Sequence, residues 1–314
     1  MENVKSSAAQ LRLERDSECD FARFSDFLEC AGIHEWRGEN PAGSSDRLAR
    51  ALEDGKVLFA PNLRFDLRES ERRFLSPAHR SGDSKNIGFD PGTKQLSVVC
   101  KGSDREELAA MLARYSARAN AFVKAICPAY REILVPGLTS FRPAEISGRT
   151  SSWRKDDTRI HVDAFPSRPS LGRRMLRVFM NAHETRDRRW EIGESFEQMA
   201  GTFMSRIRPP VPGSRSLPAI LRITKGRRTL YDHYMLGLHD AMMADSRYRS
   251  RTVRGQVSFA PGIVWACFTD LVPHAAISGP FAFEQTFYLP VSSMLDPSRS
   301  PLRVLERLLG TCLV

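Results

Sequence analysis

The chain has 314 residues, 41% of them hydrophobic and 27% charged, so it can bury the core of one large domain or two small ones. It contains no run of about 18 uncharged apolar residues, which excludes a spanning helix, and its polar N-terminus lacks the core of a signal peptide. The net charge of +10 favours an anionic partner, but no zinc-finger, RNA-recognition or helix-turn-helix motif supports nucleic acid.

The six cysteines are scattered without a CxxC pair, which argues against a zinc ribbon and a disulfide framework. We therefore expect a reducing, cytoplasmic compartment. Residues 1–50 are polar and predict a partly ordered extension, followed by a single domain over residues 51–314.

The first half of the chain predicts a mixture of short elements and one long helix. Ser103 and Glu106 have the spacing of a capping box, and apolar residues then recur at helical spacing through 106–127. The other predicted elements are a short helix at 21–30, a strand at 56–60, a charged helix at 68–73 and a strand at 95–100.

From residue 140 the pattern changes to short β-rich runs separated by Gly, Pro and Ser, which is typical of a β-sandwich or barrel. The runs are 141–146, 158–165, 174–182, 256–260, 263–270 and 281–289. Helical patterns at 194–207 and 229–243 predict a helical insertion over about 194–248. An amphipathic segment at 301–309 predicts a final helix. No GxSxG, Walker or GxGxxG motif supports a nucleophilic or nucleotide-binding enzyme.

The sequence RIHVDAFPSRP at 159–169 contains the first candidate for chemistry. Residues two apart in a strand share a face, so Arg159, His161 and Asp163 are expected to point the same way. An imidazole and a carboxylate so placed can both bind a divalent metal. The pair alone is a weak signal, because a buried histidine that bonds to its neighbours has the same pattern.

A second signal is His274, which follows a strong apolar strand and precedes another. Together with His161 and Asp163 it fits the two-histidine, one-carboxylate triad, which leaves positions on Fe(II) for 2-oxoglutarate and O2. His233 and His239 are six residues apart on a predicted helix and face different sides, so we do not expect them to act as joint ligands.

Longer strings carry a resemblance to a known family. GRTSSWRKDDTRIHVDAFPSRPSLGRRMLRVFMN (148–181), CFTDLVPHAAISGPFAFEQTFYLPV (267–291) and DPSRSPLRVLERLL (296–309) resemble the Kdo hydroxylases. The resemblance covers about residues 55–310. It implies an Fe(II)-, 2-oxoglutarate- and O2-dependent dioxygenase that hydroxylates carbon 3 of 3-deoxy-D-manno-oct-2-ulosonic acid (Kdo) in Kdo-lipid A. It also implies a mainly β fold, with a double-stranded β-helix (jelly-roll) core, flanking helices and the metal ligands His161, Asp163 and His274.

The residue that holds the far carboxylate of 2-oxoglutarate is less clear from the sequence. Many dioxygenases place an Arg or Lys about ten residues after the distal histidine, but this chain has Glu284 there. Because arginine pairs naturally with carboxylates, we expect Arg177 in this role, with Arg142 as the alternative. Asn181 and Gln285 are expected as lesser contacts.

The basic charge suggests how an acidic substrate is held. Arg154, Lys155, Arg159 and Arg168 flank the HxD sequence and are candidates to receive the carboxylate of Kdo or the phosphates of lipid A. Peripheral contact with the inner face of the inner membrane follows as an expectation, whereas the final helix is expected to pack on its own domain. The alternative function is a non-catalytic jelly-roll that binds acidic glycan or lipid, in which His161 and Asp163 are structural. The sequence leaves the oligomeric state open.

Overall fold

The structure is a computed structural model that describes residues 9–14, 24–36, 45–79, 86–97, 102–148, 152–211 and 228–314. Two sheets dominate these residues, and we call them the major and the minor sheet. The major sheet contains, in spatial order, β2 (Leu28–Cys30), β3 (Val57–Ala60), β10 (Val264–Phe268), β7 (Arg174–Asn181), β12 (Ala282–Leu289), β6 (Val135–Arg142), β4 (Ile87–Asp90) and β5 (Gln95–Leu96). The minor sheet contains β1 (Ala9–Leu13), β9 (Gly255–Phe259), β8 (Arg188–Ile192) and β11 (His274–Ser278).

From β6 onward the chain crosses repeatedly between the two sheets. β7 lies in the major sheet, β8 and β9 in the minor sheet, and β10, β11 and β12 then alternate between them. The strands of this part pair antiparallel. Two facing antiparallel sheets linked in this way form the predicted double-stranded β-helix.

Aromatic side chains fill part of the space between the sheets. Trp265 of β10 is completely buried and stacks on Phe259, with ring centroids 4.0 Å apart, and on Phe179, at 5.5 Å. Trp190 of β8 meets Trp265 edge-on. Because each side chain comes from a different strand, this packing fixes how the two sheets face each other.

Two helices, α1 (Ser45–Glu53) and α2 (Ser103–Ile126), pack on the outside of the major sheet. The described residues also contain α3 (Phe196–Phe203), α4 (Leu230–Ala244), α5 (Tyr248–Thr252) and α6 (Pro301–Leu309), and α3 packs against α4 and α6. The buried face of α2 includes Leu112 and Phe122, and the hydroxyl of Tyr115 donates to the carbonyl of Val178 in β7 at 3.1 Å. The helix therefore stabilises the strand whose opposite face contains Arg177.

Most predicted elements are confirmed to within a few residues, and three expectations are wrong. Residues 24–30 contain strand β2 rather than a helix, whereas residues 21–23 lie outside the described residues. The capping box at Ser103 does not form, because Gly102 occupies the N-cap with a φ of 66°. The predicted strand at 158–165 makes one isolated bridge. Strands β1, β4, β8 and β11 and most of β6 were not predicted.

Both ends of the chain contribute to the domain. β1 pairs parallel with β9 and β2 pairs parallel with β3, so the described parts of the polar N-terminal segment extend both sheets. The predicted packing of α6 on its own domain is confirmed, since Leu302, Val304 and Leu305 are buried in the main core. Among the described residues, no helix has the length and apolar character needed to cross a membrane.

Candidate metal centre

The segment around residues 157–163 joins the edge of the minor sheet next to β11. The amide of His161 donates to the carbonyl of His274 at 3.0 Å, and the amide of His274 donates back to His161 at 2.9 Å. Two further bonds hold the segment, from Asp163 N to Thr269 O and from Ala276 N to Asp157 O, both at 2.8 Å. The backbone thereby places two histidines from distant parts of the sequence side by side.

The side chains of His161, Asp163 and His274 converge on one point. All three are buried, and one potential ligand atom from each lies within 4.8 Å of the others. The Nδ1 of His161 lies 2.8 Å from the carbonyl of Arg159, and that of His274 lies 2.8 Å from the carbonyl of Val272. Since a carbonyl only accepts, both Nδ1 atoms carry the proton, and each Nε2 is left as a metal ligand.

The charges of this cluster suit a divalent metal. Burial, followed by the neighbouring His274, lowers the pKa of His161 to about 4. Burial also lowers the pKa of His274. For Asp163 burial opposes ionisation, but the Arg177 cation and the two imidazoles outweigh it and lower the pKa to about 2. At neutral pH the cluster therefore has two neutral imidazoles and one carboxylate, the states that bind metal.

Arg177 and Glu284 form a buried ion network beside the cluster. Arg177 Nη1 lies 3.1 Å from Asp163 Oδ2 and 2.9 Å from Glu284 Oε1. The contact with Asp163 is an ion pair without the alignment of a hydrogen bond. The other oxygen of Glu284 accepts from Arg142 Nε at 3.0 Å, and Arg142 also bonds to Asp157 at 3.0 Å. The positive charges of Arg142 and Arg177 are thus already neutralised by carboxylates of the protein itself.

The cluster faces a cavity of about 1660 Å³ between the two sheets. This exceeds the size usual for a small-molecule site, so it has room for a cosubstrate and part of a larger substrate. Trp190 forms one wall and stacks on His274, with ring centroids 4.8 Å apart and planes inclined by 15°. His239 of α4 reaches the same cavity, with its ring centroid 5.6 Å from that of His161, whereas the half-buried His233 lies outside it and contacts the Arg208 carbonyl.

The residues predicted to contact 2-oxoglutarate divide into two groups. Arg177 and Arg142 line the cavity. Asn181 and Gln285 do not, which corrects the expectation that both face the site. Gln285 alternates with Glu284 and Thr286 along β12, so it points away and bonds to Thr139 and the Gly137 carbonyl. The Asn181 amide donates to the carbonyls of Arg186 and Phe259.

The predicted substrate contacts also divide. Arg168 lines the cavity and has no carboxylate partner among the described residues, and Arg154 lines it while contacting Asp240 at 3.3 Å. Arg159 does not line it, because its guanidinium donates to the Met243 carbonyl and pairs with Asp156. The side chain of Lys155 lies outside the described part of the chain.

Sequence reasoning did not identify several residues of the cavity wall. Arg188 and Trp190 were missed because β8 was not predicted, although alternation along RRWEI would have placed both on one face. Arg228 lines the cavity and donates to the Pro166 carbonyl at 2.8 Å. Nothing in the sequence indicates His239 as a cavity residue, because its approach to the cavity depends on how α4 packs.

Comparisons with known proteins agree on one relationship. The family model of 3-deoxy-D-manno-oct-2-ulosonic acid (Kdo) hydroxylase matches residues 35–312. An apo structure of the Kdo hydroxylase KdoO, described as a non-heme Fe(II) alpha-ketoglutarate-dependent dioxygenase, is similar with 43% identity and a TM-score of 0.87, over 92% of this chain and 97% of that one. The KdoO complex with alpha-ketoglutarate and Fe(III) is similar at 42% identity with the same TM-score and coverage. A third structure, of KdoO in complex with cobalt(II), is similar at 43% identity with a TM-score of 0.87, over 91% of this chain and 97% of that one. A search of the curated proteins gave no match.

Proposed function

The chain belongs to the family of Kdo hydroxylases, and we propose that it is an Fe(II)- and 2-oxoglutarate-dependent dioxygenase that hydroxylates carbon 3 of Kdo. The observation that carries the proposal is the buried cluster of His161, Asp163 and His274 on the wall of a large cavity. A purely structural role does not require three metal-ligand side chains to converge there, so the cluster favours catalysis over a non-catalytic glycan-binding module.

In the proposed reaction the chain's own residues hold the reactants. His161 and His274 bind Fe(II) through Nε2, and Asp163 binds through a carboxylate oxygen. When bound, Fe(II) and 2-oxoglutarate supply the oxidising chemistry, in which 2-oxoglutarate and O2 become succinate and CO2 while one oxygen atom enters the sugar. Arg177 holds the second oxygen of Asp163, and the Trp190 indole fixes the ring of His274. This support keeps the ligands oriented before the substrate arrives.

We propose Kdo attached to lipid A as the substrate, at the inner face of the inner membrane. Arg168 and Arg228 lie on the cavity wall near Pro166, and neither has a carboxylate partner among the described residues. Guanidinium groups bind carboxylates and phosphates through paired hydrogen bonds, so these arginines suit the Kdo carboxylate or a lipid A phosphate. Arg154 extends the basic side of the same wall, although Asp240 partly neutralises it.

The test is reconstitution of turnover with purified protein. Protein loaded with Fe(II) is given 2-oxoglutarate, O2 and Kdo-lipid A, and succinate release is measured with and without the glycolipid. We expect release that depends on Kdo-lipid A and is lost in His161→Ala. No release above that of His161→Ala would reject the proposed activity. Equal turnover of free Kdo would reject only the requirement for lipid A.

A further inference from the structure

Exposed apolar side chains gather beside the cavity. The described residues have five exposed large hydrophobic side chains, and three of them, Val135, Leu171 and Val314, are connected to one another through a few contacts. An exposed hydrophobic residue that stands alone needs no explanation, whereas a group beside a binding cavity indicates a contact surface. We call these three residues the apolar rim.

Leu171 is held in a backbone conformation that leucine rarely adopts. Its φ is 57°, in the left-handed region, where a bulky side chain is strained. The buried carboxylate of Asp232 fixes this turn, because its Oδ1 accepts from the amide of Ser170 at 2.8 Å and from that of Leu171 at 3.1 Å. The other oxygen of Asp232 accepts from the amide of Thr229, at the start of α4. The fold thus maintains a strained, rigid turn that leaves its leucine half exposed.

Short contacts link this turn to the rest of the rim and to the cavity. A Cβ at Gly172 would lie 3.1 Å from a methyl group of Val314, so the valine packs directly on the turn. The guanidinium of Arg173, the next residue, lies 5.0 Å from the ring centroid of Tyr288. Val135 pairs with Tyr288 across β6 and β12 and shares its face of the sheet. Because Tyr288 lines the cavity, the apolar rim borders the site.

Two arginines without a carboxylate partner flank the rim. The Nε of Arg173 donates to the carbonyl of Ser170 at 3.0 Å, and neither Arg173 nor Arg168 forms an ion pair with a carboxylate of the described residues. Both act on Tyr288: burial raises the pKa of its phenol, and the charges of Arg177, Arg168 and Arg173 oppose this rise. The rim therefore combines apolar side chains with positive charge that the protein does not neutralise.

We propose that the apolar rim inserts into an anionic lipid surface while Arg168 and Arg173 bind the phosphates of its headgroups, and this inference rests on the proposed function. Apolar side chains flanked by cations suit the boundary between acyl chains and anionic headgroups. When the sugar of a glycolipid enters the cavity, its acyl chains stay outside, in the lipid layer next to the rim. A protein partner would have no such relation to the cavity.

Lipid insertion also gives the strained turn a purpose. Leu171 projects from a segment that Asp232 already holds rigid, so contact with lipid costs little further loss of backbone freedom. A flexible loop that carried the same leucine would lose that freedom on binding. The rim thus orients the mouth of the cavity toward the surface from which the substrate comes.

The experiment measures vesicle binding without metal, cosubstrate or glycolipid. Purified protein is sedimented with vesicles of equal parts phosphatidylcholine and phosphatidylglycerol, or of phosphatidylcholine alone. The variants are Leu171→Asn, because asparagine tolerates the left-handed region, and Arg173→Gln. The matched controls are Leu308→Asn on α6, since Leu308 is 50% exposed and Leu171 48%, and Arg118→Gln, an exposed arginine on α2.

We expect the original protein to bind the anionic vesicles at least about tenfold more tightly than the neutral ones. Leu171→Asn and Arg173→Gln should each weaken binding to the anionic vesicles by about fivefold, the effect of one apolar side chain or one cation at a lipid surface. Both controls should stay within about twofold of the original protein. Leu171→Asn should be no less stable in urea, because it relieves strain, and Leu171→Gly replaces it if it folds poorly.

The other outcomes overturn the proposal. They are unchanged binding in both variants, equal losses in the controls, and no binding of the original protein to anionic vesicles. A loss in Arg173→Gln alone also overturns insertion, since charge attraction without apolar contact explains it. None of these results touches the proposed hydroxylation, because vesicle binding requires neither Fe(II) nor 2-oxoglutarate. Vesicle binding as expected by a protein that releases no succinate would reject the proposed activity and leave the lipid contact in place.

Discussion

His161 and His274 are joined by two reciprocal backbone hydrogen bonds, of 3.0 and 2.9 Å. The spacing of the two proposed metal ligands is therefore set by sheet register rather than by flexible side chains. A slip of one residue in this pairing would turn one imidazole away from the cavity. The arrangement explains how two short sequences far apart in the chain form one site.

Loss of any residue of the triad should strongly weaken metal binding. His161→Ala, Asp163→Ala and His274→Ala are each expected to weaken Co(II) binding by more than about 100-fold, because a three-ligand site becomes a two-ligand site. Equilibrium dialysis with metal analysis measures this loss. His233→Ala is the control, since His233 lies outside the cavity and contacts the Arg208 carbonyl. Near-normal Co(II) affinity in any of the three triad variants would contradict the assignment of that residue as a ligand.

Metal binding should be unusually insensitive to mild acid. The pKa of His161 is lowered to about 4, so this imidazole is already neutral at about pH 5.5 in the metal-free protein, and burial lowers the pKa of His274 as well. Ordinary histidines, with a pKa near 6.5, would have to release protons there. The Co(II) dissociation constant should thus change little between about pH 7.5 and 5.5. A rise of about tenfold or more over this range would indicate ordinary histidine pKa values.

Arg177 should be important for stability, in contrast to Arg188. Arg177→Met leaves Asp163 and Glu284 buried without their shared cation and is expected to lower the free energy of unfolding by about 3–5 kcal/mol. Arg188→Met removes no partner from a carboxylate and should cost clearly less. Urea denaturation of the two metal-free variants measures the difference. Equal destabilisation would mean that the ion network around Glu284 does not stabilise the fold as described.

The proposed substrate contact at Arg168 should affect one kinetic constant selectively. Arg168→Ala is expected to raise the KM for Kdo-lipid A by about tenfold, the cost of a lost charged hydrogen bond, while the KM for 2-oxoglutarate stays the same. Steady-state succinate release at varied concentrations of each measures both constants. Arg118→Ala, an exposed arginine on α2 outside the cavity, is the control. A rise in the 2-oxoglutarate KM alone would instead place Arg168 at the cosubstrate.

The sequence predicted the strands with strong local patterns and the three residues that now form the metal cluster. It missed β1, β4, β8, β11 and most of β6. Of these, β8 and β11 are short and mix charged or small residues with apolar ones, so their patterns are weak without their partners. The two-residue spacing of His161 and Asp163 suggested a regular strand, but a single bridge and two further backbone bonds orient them instead. Arg177, which the sequence predicts at the cosubstrate, lines the cavity, whereas its pairing with Asp163 and Glu284 is a tertiary contact that the sequence does not show.

The central claim is that the cluster of His161, Asp163 and His274 supports oxygen transfer to Kdo. The most direct measurement incubates Fe(II)-loaded protein with Kdo-lipid A and 2-oxoglutarate under isotopically labelled O2, followed by mass spectrometry of the Kdo sugar. The account predicts that the sugar gains one oxygen atom, that this atom carries the label, and that Asp163→Ala gives no gain. Succinate formation with an unmodified sugar, or a gained oxygen without the label, would contradict it.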